Sequence, residues 1–316
     1  MLLPLTRWFV TAAVPLHIDY WLNTPALRAM SPSTATNILD HLVHLAPSVQ
    51  DATKSLSDLG FSVLPGGSHV DGLTENALIV FSDGAYIELI SFVHEPSYYP
   101  PGSPERAARE QHRFAGKLDG WIDYGFLGNG ALLPPDRVSD IVNARASAHG
   151  AEPIYEAEVP GGRTRPDGVR LDWAITPGRE RDLYGILPFF CGDITDRALR
   201  VPSSANKIVH PVGAQGISGV RVVVDEASFD ARKAQFTDII GADAQDIAAH
   251  TVHFPLAKAV GGVVNGTLIL STPVNELERE FLQTKGSGLY EVQIRVDSGR
   301  GGSAETPFGR IKWDAA

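Results

Sequence analysis

Two apolar runs of this chain carry polar groups that a strand interior holds only for a reason. Ile38-Leu39-Asp40-His41-Leu42-Val43-His44-Leu45 sets imidazoles and a carboxylate among aliphatic side chains, and Tyr86-Ile87-Glu88-Leu89-Ile90 does the same with a second carboxylate. Buried groups of this kind are hydrogen-bonded, paired or bound to metal. A neutral imidazole with a carboxylate suits Zn, Mn, Ni or Fe, and the softness of the donors does not choose among them. Alternation puts Leu39, His41 and Val43 on one face and Asp40, Leu42 and His44 on the other, so only one histidine can serve a given site. The plain alternative is a core His41 bonded to a backbone carbonyl, with Glu88 facing solvent.

Further polar residues fall between these runs. His69 ends a Gly-rich loop, Gly66-Gly67-Ser68-His69, from which it could act as third ligand, general base or substrate contact, or stand as a surface histidine. Asn76 could bond a substrate oxygen or cap a turn. Arg163-Thr164-Arg165 and Arg179-Glu180-Arg181 read as solvated loop charges, with a grip on an anionic substrate as the other reading. His250 and His253 face opposite sides of a strand, and Cys191 has no adjacent base and reads as a small buried hydrophobe. There is no GxGxxG, P-loop or HExxH motif.

The elements that would position these groups recur three times as a strand, a helix closed by glycine, and three strands. In the first unit the strand Ile38 to Leu45 precedes Ser48 and Asp51, a capping-box spacing, then Val49, Ala52, Leu56 and Leu59 at helical period, then Gly60. Strands are expected from Phe61, over Asn76 to Phe81, and over Ala85 to Phe92, with Asp83-Gly84 as a hairpin turn. The second unit opens at Trp121 to Leu127 and continues with strands over Pro153 to Val159, Val169 to Ile175 and Tyr184 to Phe190. The third opens at Ile217 to Val224, with strands over His250 to Leu256, Thr267 to Ser271 and Leu289 to Val296. The helix-ending glycines stand at 60, 150 and 241, a spacing that suits a duplicated domain-sized module and exceeds any solenoid repeat. The expected organisation is an extension over 1–37 and modules over 38–104, 119–196 and 212–316.

Asp40-His41 in a first strand and Tyr86-Ile87-Glu88 in a last strand resemble the vicinal oxygen chelate superfamily, and more narrowly its glyoxalase-like branch. Gly66-Gly67-Ser68-His69, Thr74-Glu75-Asn76-Ala77-Leu78 and Leu187-Pro188-Phe189-Phe190 are similar to segments of that branch. The resemblance implies an α+β fold of tandem βαβββ modules whose curved sheets surround a cleft holding a divalent metal. It also implies a metal-dependent lyase or isomerase acting on a small carbonyl or hydroxy compound. In that reading His41 and Glu88 are ligands, His69 is a third ligand or base, Glu88 or His69 moves the proton, and Asn76 binds substrate. A ring-cleaving Fe(II) dioxygenase and a non-catalytic binding protein of the same fold are the alternatives. The later modules depart from the pattern: Gly219 stands where His41 would, Trp121, Asp123 and Tyr124 offer no histidine, and Cys191-Gly192-Asp193 follows Pro-Phe-Phe.

At 316 residues and 43% hydrophobic content the chain can bury a large core, and 27 basic against 37 acidic residues without a basic stripe argue against nucleic acid as a partner. The single cysteine excludes an intrachain disulfide and suits a reducing compartment. The apolar run from Trp8 to Leu16 is too short to span a bilayer and lacks a clear cleavage pattern, so the expectation is an extension packed on the domain of a cytoplasmic protein, with secretion as the other reading. The expected partner is a small-molecule substrate, without membrane. An odd number of modules leaves one sheet unpartnered and favours a homodimer.

Overall fold

The first unit is laid down as its sequence pattern dictates: β1 (Leu39–Leu45), α1 (Val49–Asp58), β2 (Leu64–His69), β3 (Thr74–Val80) and β4 (Tyr86–Phe92). The computed structural model describes residues 34–165, 167–258, 266–297, 301–307 and 309–315, so most of the expected N-terminal extension lies outside the described residues. Helix α1 starts where Ser48 Oγ accepts the Asp51 N–H at 3.0 Å. Beyond its end stands Gly60, whose φ of +91° is a left-handed conformation that a Cβ would strain. Ala52 and Leu56 form its buried face.

After α2 (Pro104–Gln111) the second unit repeats the order with β5 (Gly120–Leu127), α3 (Val138–Ala148), β6 (Val159–Thr164), β7 (Arg170–Thr176) and β8 (Phe189–Asp193). Two of its strands differ from expectation. Residues 153–158 hold only an isolated bridge from Tyr155 to Gly178, and the last strand starts at Phe189 instead of Tyr184. Strand β6 instead runs through Pro160-Gly161-Gly162, a sequence that reads as a turn. The glycines permit close approach: a Cβ on Gly161 would strike the Trp173 indole, and one on Gly162 would lie 2.6 Å from the Leu171 carbonyl oxygen. Strand β2 carries the matching Pro65-Gly66-Gly67, so His69 ends a strand and not a loop.

The two units close into one eight-stranded barrel, β1-β4-β3-β2-β6-β7-β8-β5. One seam is long, with β1 antiparallel to β5 from Leu39 to Leu45; the other, between β2 and β6, consists of Ser68 with Thr164 and His69 with Arg163. Val43, Leu45, Ile90, Trp173, Phe189 and Cys191 pack inside, while Leu39, Leu42, Ile87 and Leu89 join the larger core with Ala52 and Leu56 of α1. The connecting helices α4 (Arg197–Arg200) and α5 (Ala205–Ile208) follow β8. Val201 and Ile208 cover Leu78, Val80 and Tyr86.

The third unit comprises β9 (Ala214–Val223), α6 (Phe229–Ile240), β10 (Gln245–Ala248), β11 (Thr251–Leu256) and β12 (Gly266–Ser271). Its last strand is β12, which lies parallel to β9 as β4 lies to β1, so the expected role of Leu289 to Val296 is corrected. After α7 (Glu276–Lys285), β13 (Gly288–Val296), β14 (Gly302–Thr306) and β15 (Gly309–Ala315) form a partial fourth unit. Strand β13 pairs antiparallel with β9, as β5 does with β1, giving a seven-stranded sheet β10-β11-β12-β9-β13-β15-β14. The third module therefore has an intrachain partner, which removes the premise of the homodimer argument. Among the described residues no helix is long and apolar enough to cross a membrane.

His44 points away from the barrel interior, fully buried with its ring edge-on to Trp121 at 4.8 Å. Burial pushes its pKa down from 6.5 to about 3, so it stays neutral in the fold while the unfolded chain binds a proton below about pH 6.5. Stability from this residue is therefore present above that pH and is lost as pH falls toward the folded value, by up to about 1.4 kcal/mol per unit. Denaturant titrations at pH 7.5, 5.5 and 4.5 should show a shallower acid loss for His44→Phe than for the wild type. Equal slopes would show that His44 does not drive the acid sensitivity.

Candidate functional site

Strand β1 is irregular where its chemistry lies. Its pairing with β5 shifts register between Leu39 and His41, and that bulge brings Asp40 to the same side as His41, against the expectation from strict alternation. His41 Nδ1 stands 2.7 Å from Asp40 Oδ2. The imidazole stacks on Tyr86 at 4.7 Å and meets Phe189 edge-on at 5.2 Å. On its other side Gly125 leaves room for the ring, because a Cβ there would lie 2.7 Å from His41 Cε1.

Asp40 is wholly buried and is the hub of an ion cluster. Arg200 donates to it from Nη1 at 2.8 Å and Nη2 at 3.3 Å, and Arg197 Nη1 lies 2.6 Å from its Oδ1. Arg200 also donates to Asp193 and, at 2.8 Å, to the Tyr86 hydroxyl oxygen. Burial alone would raise the Asp40 pKa, but the charges of Arg200 and then Arg197 outweigh it and hold the carboxyl well below the usual range. An ionised Asp40 can only accept, so His41 Nδ1 must donate. In the neutral ring Nε2 then carries the lone pair. That nitrogen has no hydrogen-bond partner among the described residues.

A second polar group lies farther along the interior. Asn76 Nδ2 donates to Glu88 Oε1 at 2.5 Å, and His69 Nε2 lies 3.5 Å from the same oxygen. Thr74 Oγ1 stands 2.7 Å from His69 Nδ1, and Asn76 Oδ1 accepts the Gly67 N–H at 3.1 Å. Burial pushes the Glu88 pKa up, but the hydrogen bond and charge of His69, aided by His41 and Asn76, bring it down to about 2. Burial likewise lowers His69, and Glu88 more than reverses this. The two side chains thus form a partly buried His–Glu pair. Asn76, expected to bind substrate, commits its amide to Glu88 and to the β2 backbone.

The expected metal ligands do not make a metal site. No group of three or more His, Cys, Asp or Glu among the described residues is placed to hold an ion. His69 and Glu88 pair with each other at 3.5 Å, and although the Asp40 bond to Nδ1 leaves His41 Nε2 open to a ligand role, no further donors among the described residues converge with it. The second module faces His41 with Gly125 and Phe189, neither a donor. The electrostatic neighbours of buried Arg163 include Glu88, and a cation there opposes a second one. The residues present therefore do not fit the divalent metal implied by the resemblance.

A family model described as "Glyoxalase-like domain" matches residues 39–238, which spans the barrel, its connectors and β9 to α6. The chain belongs to the glyoxalase-like domain family. No curated protein matches the chain. Among solved structures, a hypothetical protein from Staphylococcus aureus is similar at 12% identity and a TM-score of 0.62, over 88% of this chain and 99% of that one. A triple mutant of 4-hydroxymandelate synthase from Streptomyces coelicolor is matched at 16% identity and a TM-score of 0.47, over 85% of this chain and 72% of that one. At such identities the likeness concerns the fold alone.

Several residues of the glyoxalase-like interior were not singled out in the sequence. Asp193 ends β8 and Arg197 and Arg200 bound the short helix α4 that follows, and only the i, i+4 and i, i+7 spacing hinted at a shared carboxylate. Arg163 reads from the sequence as a solvated loop charge or a grip on an anion, whereas the structure places it on β6, which the repeat of Pro-Gly-Gly in β2 and β6 could have signalled. Asp40→Asn should cost about 3 kcal/mol or more in urea unfolding at pH 7, because it leaves buried guanidinium charge uncompensated. A loss below about 1 kcal/mol would contradict the role of Asp40 as hub.

Proposed function

We propose that this chain is an enzyme of the lyase or isomerase type that moves a proton on a small carbonyl or hydroxy compound, with His41 as the base. The observation that carries this reading is the Asp40–His41 pair: an imidazole oriented by a buried carboxylate whose charge Arg200 and Arg197 stabilise, with its second nitrogen unclaimed by any described residue. A positioned imidazole of this kind serves acid–base catalysis, since the carboxylate fixes its tautomer and stabilises the cation formed on proton uptake. Tyr86 and Phe189 hold the ring by stacking and by edge contact, which limits its rotation. Glu88 and His69 are already paired, and their part is to keep the interior polar and ordered. The proton removed from carbon resides on His41 Nε2 and returns from there to the product.

The test is solvent exchange. Small α-hydroxy ketones and 2-hydroxy acids are incubated with the protein in D2O, with and without a chelator, and loss of the C–H signal is followed by NMR. Wild type should catalyse exchange, unaffected by chelator, and His41→Ala should lose about a hundredfold or more while His44→Phe retains it. Exchange that disappears with chelator and returns with a divalent ion would favour the metal-dependent reading. Binding of these compounds without exchange would favour a non-catalytic member of the fold.

A further inference from the structure

The bond from Asp40 fixes one nitrogen of His41 but not the plane of its ring, and that plane decides where Nε2 points. Two aromatic side chains set it. Tyr86 lies almost parallel to the imidazole, with 7° between the planes, whereas Phe189 meets it at 77°. A Cβ on Gly125 would stand 2.7 Å from His41 Cε1 and 3.2 Å from Phe189 Cζ, so the tip of the Phe189 ring borders the carbon between the two imidazole nitrogens. A parallel stack lets one ring slide over the other. The edge contact is what stops that motion.

Each of these rings has an arginine beside it. Arg200 donates to the Tyr86 hydroxyl oxygen at 2.8 Å, and its guanidinium carbon lies 5.6 Å from the centre of that ring. Phe189 has no polar atom by which it could be held in the same way. Instead the guanidinium carbon of Arg113 lies 4.4 Å from the centre of the Phe189 ring, with the rings of Phe114 and Tyr184 each at 5.1 Å. A cation over an aromatic face is attracted by the ring quadrupole, the more so where water is excluded. Arg113 stands between α2 and β5 and is tied to the barrel through Nη2, which donates to the buried Asp123 at 2.5 Å. Its Nε–H is shielded from solvent and bonds no described residue. A buried donor left unsatisfied calls for an explanation, and contact with the aromatic faces supplies one.

We infer that Arg113 is a positioning residue for His41: it holds Phe189 against the imidazole, as Arg200 holds Tyr86, and so fixes the direction of Nε2. The inference rests on the enzyme reading above and adds to it a residue that acts on the base only through Phe189. If Arg113 served only to neutralise Asp123, its loss would lower stability and leave the imidazole where it is.

The test compares the full-length wild type with Arg113→Met, Arg113→Lys, Phe189→Leu and the double variant Arg113→Met/Phe189→Leu. The Cε1–H resonance of His41, assigned through His41→Gln, senses the ring current of Phe189 and is followed by NMR in each protein. Exchange of the α-hydroxy ketones and 2-hydroxy acids in D2O is measured below each melting transition. Arg113→Met should move the His41 resonance most of the way to its position in Phe189→Leu, and should lower kcat for exchange about tenfold or more with KM nearly unchanged. Arg113→Lys keeps a cation beside Asp123 and Phe189 and should recover part of both. The double variant should be no slower than Phe189→Leu, because Arg113 acts through that ring. An unmoved His41 resonance in Arg113→Met, or a double variant whose loss is the product of the two single losses, would overturn the assignment whatever the melting temperature. Where Arg113→Met does not fold, Arg113→Lys decides: a resonance displaced toward that of Phe189→Leu supports the role, and an unmoved one refutes it. A displaced resonance in a protein whose wild type performs no exchange would keep the positioning role and refute the enzyme, whereas wild-type exchange that Arg113→Met leaves unchanged would do the reverse.

Discussion

The rest of the interior depends on the charge of Asp40. A carboxylate with no solvent contact survives as an anion only because Arg200 and Arg197 approach it from the connector after β8. Their attraction does three things at once. It ties the first module to the segment that follows the second, it brings Tyr86 into the same hydrogen-bonded group, and it compels His41 to donate from Nδ1. The bulge in β1 makes this geometry available, since a regular strand would send Asp40 to the opposite side of the sheet.

Duplication explains both what the molecule repeats and what it omits. Two complete modules close a barrel, and a third complete module with a partial fourth builds an open sheet by the same pairing rules. The Pro-Gly-Gly segments of β2 and β6 flank the short seam at its opposite ends, where Gly67 packs on the Thr164 backbone and Gly161 lies against the Trp173 indole of β7. Polar chemistry is concentrated in the first module, while the second contributes Gly125, Phe189 and Arg163. The interior is thus asymmetric in charge although the backbone is nearly repeated.

Much of this was legible in the residues. The period of the helix-ending glycines announced the modules, and Ser48 with Asp51 located α1. His41 and Glu88 stood out because polar groups in apolar strands need partners, and His69 because a histidine in a Gly-rich segment can reach a cleft. What the sequence could not show were the partners themselves. Asp40 and His41 meet through a bulge that no alternation rule contains, and Arg200 lies far along the chain from the carboxylate it neutralises. Arg163 was obscured because Pro160-Gly161-Gly162 has the composition of a turn, and the third module was overextended because the short β10 carries almost no apolar signal.

The central claim is that an ionised Asp40 fixes the His41 tautomer and leaves Nε2 free to take a proton. Nitrogen-detected NMR of histidine side chains, assigned through a His41→Gln variant, tests it most directly. At a pH where the ring is neutral, the account predicts a protonated Nδ1 and an unprotonated Nε2, with no change on adding zinc or a chelator. A proton on Nε2 with Nδ1 accepting from a neutral Asp40, or a metal-induced shift of the His41 nitrogens, would contradict it.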